Sequence, residues 1–202
     1  MSETEVYTPF FVDGDNVDTG PRLGGSSPKA VMPQHQSDLT KYLMTIPVTQ
    51  DLEASIFTSF DYENDGEANP FDMCGVLFDE RNPLVEVVFH SPCERDSSAP
   101  IPSDLPGHKL SSISGDVSEV GSELGEFHKF GGDPVFRHDN DPEFVATCQE
   151  LLSSDYRQVV QLAFPVGPYD AVIDADWPFG EYIFHLFVTF KDGSPHYKYC
   201  WG

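Results

Sequence analysis

The pattern of apolar and polar positions predicts a chain built mainly of strands. Residues 182–190 are mostly aromatic and β-branched and include no Gly or Pro, which is typical of a strand. Asp192-Gly193 then predicts a tight hairpin turn, because this pair tolerates positive φ. Beyond the turn, alternation predicts a strand whose one face is Tyr197, Tyr199 and Trp201. Further strands are predicted at 6–12, 43–49, 54–62 and 158–166. The segment 76–89 is predicted to form a hairpin equivalent to the one at 188–201, with Val85, Val87 and Phe89 on one face of its second strand.

One helix is well signalled in the second half of the chain. Asp141 can cap the first amides, and Pro142 suits the first turn. Apolar residues then recur at helical spacing: Phe144, Val145, Cys148, Leu151 and Leu152. A shorter turn near 37–42 is the expected counterpart in the first half. The predicted fold class is therefore α+β, a mainly antiparallel sheet with few helices.

Three segment pairs suggest an internal repeat. The segment 21–25 resembles 128–132, and 43–48 resembles 160–166. The segments 76–89 and 188–201 match without a gap at an offset of 112. These echoes keep the same order, which favours two pseudo-symmetric repeats in a single domain. The predicted repeats cover about 6–93 and 127–202, and 94–126 is a Ser/Pro/Gly-rich linker or surface excursion without aromatic residues.

Charge narrows the range of partners. The 202 residues include 11 Lys and Arg against 34 Asp and Glu, for a net charge of −23. Such an excess opposes binding to nucleic acid and to anionic membranes, and favours a basic protein partner. The acidic start of the chain lacks an apolar run, which predicts no secretory signal and no membrane anchor. We therefore expect a cytoplasmic protein with four reduced cysteines.

An acidic segment at 61–72 is the strongest candidate for a partner-binding surface. Its carboxylates are Asp61, Glu63, Asp65, Glu67 and Asp72. Acids at the first, third and fifth positions with Gly66 at the sixth also match the first half of a calcium loop. The twelfth position is Asp72 rather than Glu, and Pro70 interrupts the loop. A solvated hairpin loop is the competing interpretation.

Other chemistry-bearing residues each have a structural alternative. Asp174, Trp177 and His185 form a candidate ligand-binding set, although His185 also fits a satisfied core histidine. The doubled glycines Gly24-Gly25 and Gly131-Gly132 suit an anion cradle or a turn that needs positive φ.

Metal and nucleophile signals are weaker. His90 with Cys93 and His138 with Asp139 and Asp141 resemble half-sites for zinc, but nothing in the spacing brings them together. We assign no metal, no cofactor apart from calcium at 61–72, and no catalytic residue, because no nucleophile motif occurs.

Several of these segments resemble the YwqG-like family of bacterial proteins. The resemblance rests on Lys129–Phe136, on the strand ending at Phe164, and on the run from Gly180 to Gly193. It implies a pseudo-symmetric α+β domain without an established activity. Relatives of that family are encoded near secreted toxins, which implies an immunity role. The first half departs from the pattern, since Ser26-Ser27 stand where the second half has Asp133-Pro134.

The sequence thus predicts a non-enzymatic, acidic protein-binding module, with neutralisation of a basic toxin as the expected role. The alternative is a small-ligand or metal binder that uses the crevice between the repeats. An enzyme is the third hypothesis.

Overall fold

Ten antiparallel strands make up most of the part of the chain that the computed structural model describes. The described residues are 8–13, 20–29, 31–32, 41–58, 85–98, 108–112, 129–134, 136, 142–162 and 183–201. The strands are β1 Thr8–Asp13, β2 Arg22–Leu23, β3 Lys41–Thr49, β4 Leu52–Thr58, β5 Val85–His90, β6 His108–Ser112, β7 Lys129–Phe130, β8 Arg157–Leu162, β9 Phe184–Lys191 and β10 Ser194–Trp201. The helix α1 is Pro142–Ser153. The described residues contain no helix long and apolar enough to cross a membrane.

The strands form one sheet in the order β10-β9-β8-β7-β1-β6-β2-β3-β4-β5. Two meanders, β2–β5 in the first half and β7–β10 in the second half, flank the central pair β1 and β6. Phe11 and Ser111 are partners at the middle of this pair. Each central strand also pairs with the opposite half, since β1 pairs with β7 and β6 pairs with β2. The segment 94–126 therefore contributes a strand to the centre of the sheet.

One continuous core lies on the inner face of the sheet and draws on both halves. Its largest fully buried members are Trp201, Phe184, Leu23, Met44 and Ile56. The two ends of the sheet approach each other, because the Val85 amide donates to the Tyr199 hydroxyl at 3.5 Å. Phe89 and Tyr197 also lie with their ring centroids 6.2 Å apart. The curled sheet thus encloses its own apolar face.

Separate clusters cover the outer faces. In the second half, α1 places Phe144, Cys148 and Leu151 against Phe187 and Cys200. In the first half, the buried residues are Val31, Tyr42 and Phe57. The strands β3, β4, β8 and β9 are therefore buried on both faces in their middle portions, which matters for the polar residues described below.

The predicted α+β class with a mainly antiparallel sheet is confirmed, as is the helix after Asp141. The β9–β10 turn has φ of 53° at Asp192 and 78° at Gly193, as the Asp-Gly pair predicts. Of the segment 76–89, only 85–89 is described, and it lies in β5 beside β4. Of the turn expected near 37–42, residues 41–42 begin β3 instead, and 37–40 lie outside the described residues.

Candidate functional site

A row of buried polar side chains crosses the outer face of the first half. Arg22 on β2 lies opposite Thr45 on β3, and Thr45 lies opposite Ser55 on β4. Their sequence neighbours belong to the inner core, so the three side chains share the outer face. Their exposed fractions are 2%, 0% and 0%. We call these three residues the Arg22 row.

A chain of hydrogen bonds runs along this row to His90 on β5. The Tyr42 hydroxyl lies 2.7 Å from Thr45 Oγ1, which lies 2.9 Å from Ser55 Oγ. Ser55 Oγ lies 2.8 Å from His90 Nε2, and His90 Nδ1 lies 2.8 Å from the Ser91 carbonyl. A carbonyl oxygen only accepts, so Nδ1 donates to it. In a neutral ring Nε2 then accepts from Ser55, which orients every hydroxyl of the chain towards His90.

The same atoms resemble half of a nucleophile-activating arrangement. A serine hydroxyl that donates to a histidine Nε2 can be activated when a carboxylate orients the ring. Glu53 Oε2 lies 3.9 Å from His90 Nδ1, beyond hydrogen-bond range, and Nδ1 is bonded to the Ser91 carbonyl instead. Ser55 is also fully buried. This geometry gives Ser55 a structural hydrogen bond and no contact with solvent.

Arg22 is the least satisfied member of its row. Its Nη1 donates to the Gly20 carbonyl at 3.0 Å, and the guanidinium also interacts with the Tyr42 hydroxyl. Its Nε and Nη2 have no acceptor in good hydrogen-bond geometry among the described residues. Burial raises the pKa of Tyr42 to about 12, and the nearby Arg22 charge acts in the opposite direction. A buried guanidinium with two unused donor nitrogens is suited to bind an anionic group.

The second half buries a comparable row on its outer face, the face on which α1 packs. Lys129 on β7 lies opposite Gln161 on β8, and Gln161 lies opposite His185 on β9. Their exposed fractions are 3%, 0% and 0%. The Lys129 ammonium group donates to the Asp133 carbonyl. Both outer faces therefore carry a buried cation followed by two polar side chains.

His185 sits in a largely aromatic environment. Its Nδ1 donates to Gln158 Oε1 at 2.6 Å, and its ring centroid lies 5.8 Å from that of Phe136 and 5.5 Å from that of Phe144. Burial, together with the Lys129 charge, lowers the pKa of His185 to about 3. The imidazole is consequently neutral, and it makes the contacts of a core histidine.

The doubled glycines form turns of matching geometry. Gly24 and Gly25 have φ of 67° and 74°, and Gly131 and Gly132 have φ of 63° and 69°. The first amide of each pair already donates within the sheet, from Gly24 to the Leu43 carbonyl and from Gly131 to the Val159 carbonyl. These two amides are therefore not open to an anion, and the positive φ explains the glycines.

A cleft of about 850 Å³ lies between the two halves. One wall is the β3–β4 turn at 47–50, and the other includes 130–133 and 156–159. Arg157 spans the two walls, because its Nη2 donates to the Val48 carbonyl at 3.3 Å. Its guanidinium also lies 5.6 Å from the centroid of the Phe190 ring. This cleft corresponds in position to the expected crevice between halves.

His90 and Cys93 meet in the structure. Cys93 Sγ lies 3.6 Å from His90 Nδ1. Burial and the Glu53 charge raise the pKa of Cys93, which disfavours the thiolate that zinc or a nucleophilic reaction needs. Within the described ranges, no group of three or more His, Cys, Asp or Glu side chains could hold a metal ion.

Most of the sequence-predicted site residues lie outside the described residues. These are the acidic segment 61–72 with Asp61, Glu63, Asp65, Glu67 and Asp72, the pair Asp174 and Trp177, and His138, Asp139 and Asp141. The calcium and partner-binding assignments at 61–72 stay predictions. Of the predicted ligand-binding set, only His185 is described.

The sequence did not single out the Arg22 row. In β4, Glu53 and Ser55 alternate with Ala54 and Ile56, a pattern that normally predicts a solvent-facing polar side. The only available signal is the placement of Arg22 beside a doubled glycine, at a position that Lys129 also occupies in the second half.

Fold and site together define a mainly antiparallel α+β protein with buried polar rows on the outer faces of its sheet. No protein-family model matches the chain, and no curated protein or solved structure shows a significant match to it.

Proposed function

We propose that this chain is a non-enzymatic module that binds a basic protein through its acidic segments. The supporting observation is the charge of the chain, in which 34 carboxylates stand against 11 Lys and Arg for a net charge of −23. Five of these carboxylates fall within the single segment 61–72, namely Asp61, Glu63, Asp65, Glu67 and Asp72.

This excess of negative charge supports a role in recognition. A net charge far from zero destabilises a compact fold through self-repulsion, so folding does not explain an excess of this size. Clustered carboxylates increase the rate at which a cationic partner associates, over a distance that salt limits to about 8 Å at physiological ionic strength. Neutralisation of a basic toxin is the biological role that this chemistry fits, and the resemblance to the YwqG-like family implies the same role.

The experiment compares two variants that remove equal charge. The loop variant carries Asp61→Asn, Glu63→Gln, Asp65→Asn and Glu67→Gln. The control variant carries Asp51→Asn, Glu150→Gln, Asp155→Asn and Asp192→Asn, all at exposed positions of the described framework. A basic protein captured from host lysate at low salt, then identified and purified, serves as the partner.

We expect the loop variant to associate roughly tenfold more slowly than the wild type at low salt, with a smaller loss for the control. Raising the salt concentration should slow the wild type towards the loop variant. Failure to recover any partner at low salt would contradict the proposal. So would an association rate that responds neither to salt nor to the loop substitutions.

Binding of a small anionic ligand is the second candidate function. It is favoured by the two unused donor nitrogens of Arg22 and by the cleft that Arg157 spans. With inorganic phosphate as the probe, a ligand at a hundred times its Kd should raise the Tm by roughly 5–10 °C. Loss of this shift in Arg22→Gln would locate the site on the Arg22 row, and loss in Arg157→Gln would locate it in the cleft. No shift at millimolar phosphate would contradict phosphate binding at either place.

We further propose that the two halves are pseudo-symmetric repeats. Exchanging each of β1–β5 with the strand five places later reverses the sheet order and leaves it otherwise unchanged. Residues Arg22 and Lys129, which are 107 positions apart, lie opposite Thr45 and Gln161 in corresponding strands.

The last strands support the same proposal. Val87 lies opposite Ile56, and Tyr199, which is 112 positions later, lies opposite Leu186. The β3–β4 and β8–β9 pairs also share a register irregularity after their corresponding residues Tyr42 and Gln158. An experimental structure would test the proposal by superposition of the two halves, and different paths for β2–β5 and β7–β10 would refute it.

A further inference from the structure

Two buried thiols meet where α1 packs on the sheet. Cys148 on α1 and Cys200 on β10 have their sulfur atoms 2.9 Å apart. Both residues have an exposed fraction of 0%, and both belong to the cluster that attaches the helix to the outer face. A disulfide bond joins sulfur atoms at about 2.05 Å, so the two side chains need little movement to bond.

We propose that Cys148 and Cys200 form a disulfide that ties α1 to β10 when the chain meets a disulfide oxidant such as oxidised glutathione. A thiolate of the pair attacks one glutathione sulfur and releases the first reduced glutathione. The second cysteine then attacks the mixed disulfide and releases the other. The two cysteines lose two protons and two electrons, and the oxidant is reduced to two thiols.

The surroundings determine when this bond forms. Burial and the neighbouring Cys148 raise the pKa of Cys200 above its ordinary range, so Cys200 holds little thiolate, and neither sulfur is open to an oxidant because both residues are fully buried. Oxidation therefore takes place during folding or when α1 opens from the sheet. Once the bond has formed, the same burial keeps small reductants away from it.

Cys93 provides an internal comparison. It is partly exposed, and its sulfur lies 3.7 Å from the Lys29 carbonyl and 3.6 Å from His90 Nδ1. No second cysteine lies beside it among the described residues, so it has no described partner for a disulfide. It is expected to form mixed adducts with the oxidant rather than an internal bond.

The test uses a Cys74→Ser/Cys93→Ser variant, which retains only the proposed pair. After it refolds in mixed reduced and oxidised glutathione, we expect its intact mass to fall by two hydrogen atoms. Peptide mapping should link Cys148 to Cys200. The bond closes a long loop, so the oxidised form should melt roughly 8–16 °C above the reduced form. Adding Cys148→Ser to this variant should abolish the difference.

Reduction supplies a second readout. Dithiothreitol should open the bond readily in denaturant but slowly in the native protein. Two thiols that still titrate fully after oxidative refolding would overturn the proposal, as would glutathione adducts on both cysteines. If the double-serine variant does not fold, peptide mapping of the refolded wild-type chain shows whether Cys148 is linked to Cys200.

Discussion

Acid should destabilise this fold through one buried imidazole, that of His185. Its ring packs against both Phe136 and Phe144, and its Nδ1 already donates to Gln158. Protonation would place a second positive charge near Lys129 inside the protein. We therefore replace His185 with Asn, whose amide can still donate to Gln158 but does not titrate.

The magnitude follows from the difference between the folded and unfolded states. The pKa of His185 is about 3 in the fold, against 6.5 for an ordinary histidine. Because the unfolded chain binds the proton more readily, this group has no effect on stability well above pH 6.5. It destabilises the fold increasingly as the pH falls from 6.5 towards 3. At pH 5 the loss is about 2 kcal/mol, since each pH unit below 6.5 contributes about 1.4 kcal/mol.

The assay is urea unfolding of wild type and His185→Asn at pH 7.5 and pH 5. Because 34 carboxylates also titrate in acid, only the difference between the two proteins isolates the imidazole. We expect the unfolding free energy of the wild type to fall by about 2 kcal/mol more than that of the variant. This corresponds to roughly 1 M in the urea midpoint. The variant's baseline is lower at both pH values because it removes part of a buried ring.

A parallel loss of stability in the two proteins would refute the reasoning, since it would mean that His185 is not held neutral by burial. His196→Asn is the matched control, because it removes an exposed imidazole from the adjacent strand β10. That variant should keep the pH dependence of the wild type.

Three further substitutions, the last with a control substitution beside it, test other parts of the structure. Tyr42→Phe removes the hydrogen bond to Thr45 and should lower the unfolding free energy by about 1 kcal/mol. Since burial raises the pKa of Tyr42 to about 12, the wild type should also lose stability above pH 10 that the variant keeps in urea titrations. Gly131→Ala should cost about 1 kcal/mol in a urea titration through its φ of 63° alone, because an added Cβ meets no atom within 4 Å. In the β9–β10 turn, Gly193→Ala should lower the Tm of the protein by several degrees, whereas Asp192→Asn should leave the Tm nearly unchanged.

Local chemistry explains which elements could be predicted from the sequence. The helix was signalled by Asp141, a residue type that favours capping, and by Pro142, and the β9–β10 turn by Asp192-Gly193. Both signals act over a few neighbouring residues. The strand β6 was missed, because His108–Ser112 lacks aromatic residues and lies in a Ser/Pro/Gly-rich segment. Its position depends on pairing with β1 and β2, which are about 90 residues or more away in sequence.

The polar rows were missed for a different reason. Alternation in a strand tells which residues share a face, but it does not tell whether the polar face meets solvent. In this sheet both faces are covered, so Ser55 and Gln161 are as inaccessible as the core. The two-residue strands that hold Arg22 and Lys129 are too short to give any periodic signal.

The buried polar side chains at corresponding positions of the two outer faces differ in their hydrogen bonding, and this difference bears on function. In the second half, Phe144 of α1 packs against His185 of the row, and the Lys129 ammonium group donates to the Asp133 carbonyl. In the first half, Arg22 keeps two donor nitrogens without a hydrogen bond, and Glu53 Oε2, which lies 3.9 Å from His90 Nδ1, has no hydrogen-bond partner among the described residues. Buried charges of this kind are unfavourable unless something else compensates them. The second half also leaves His185 Nε2 buried without a hydrogen-bond partner among the described residues, so neither row is fully satisfied. Under the proposed duplication, the first half differs because its unpartnered donors belong to the charged group of Arg22, which a bound anion would compensate.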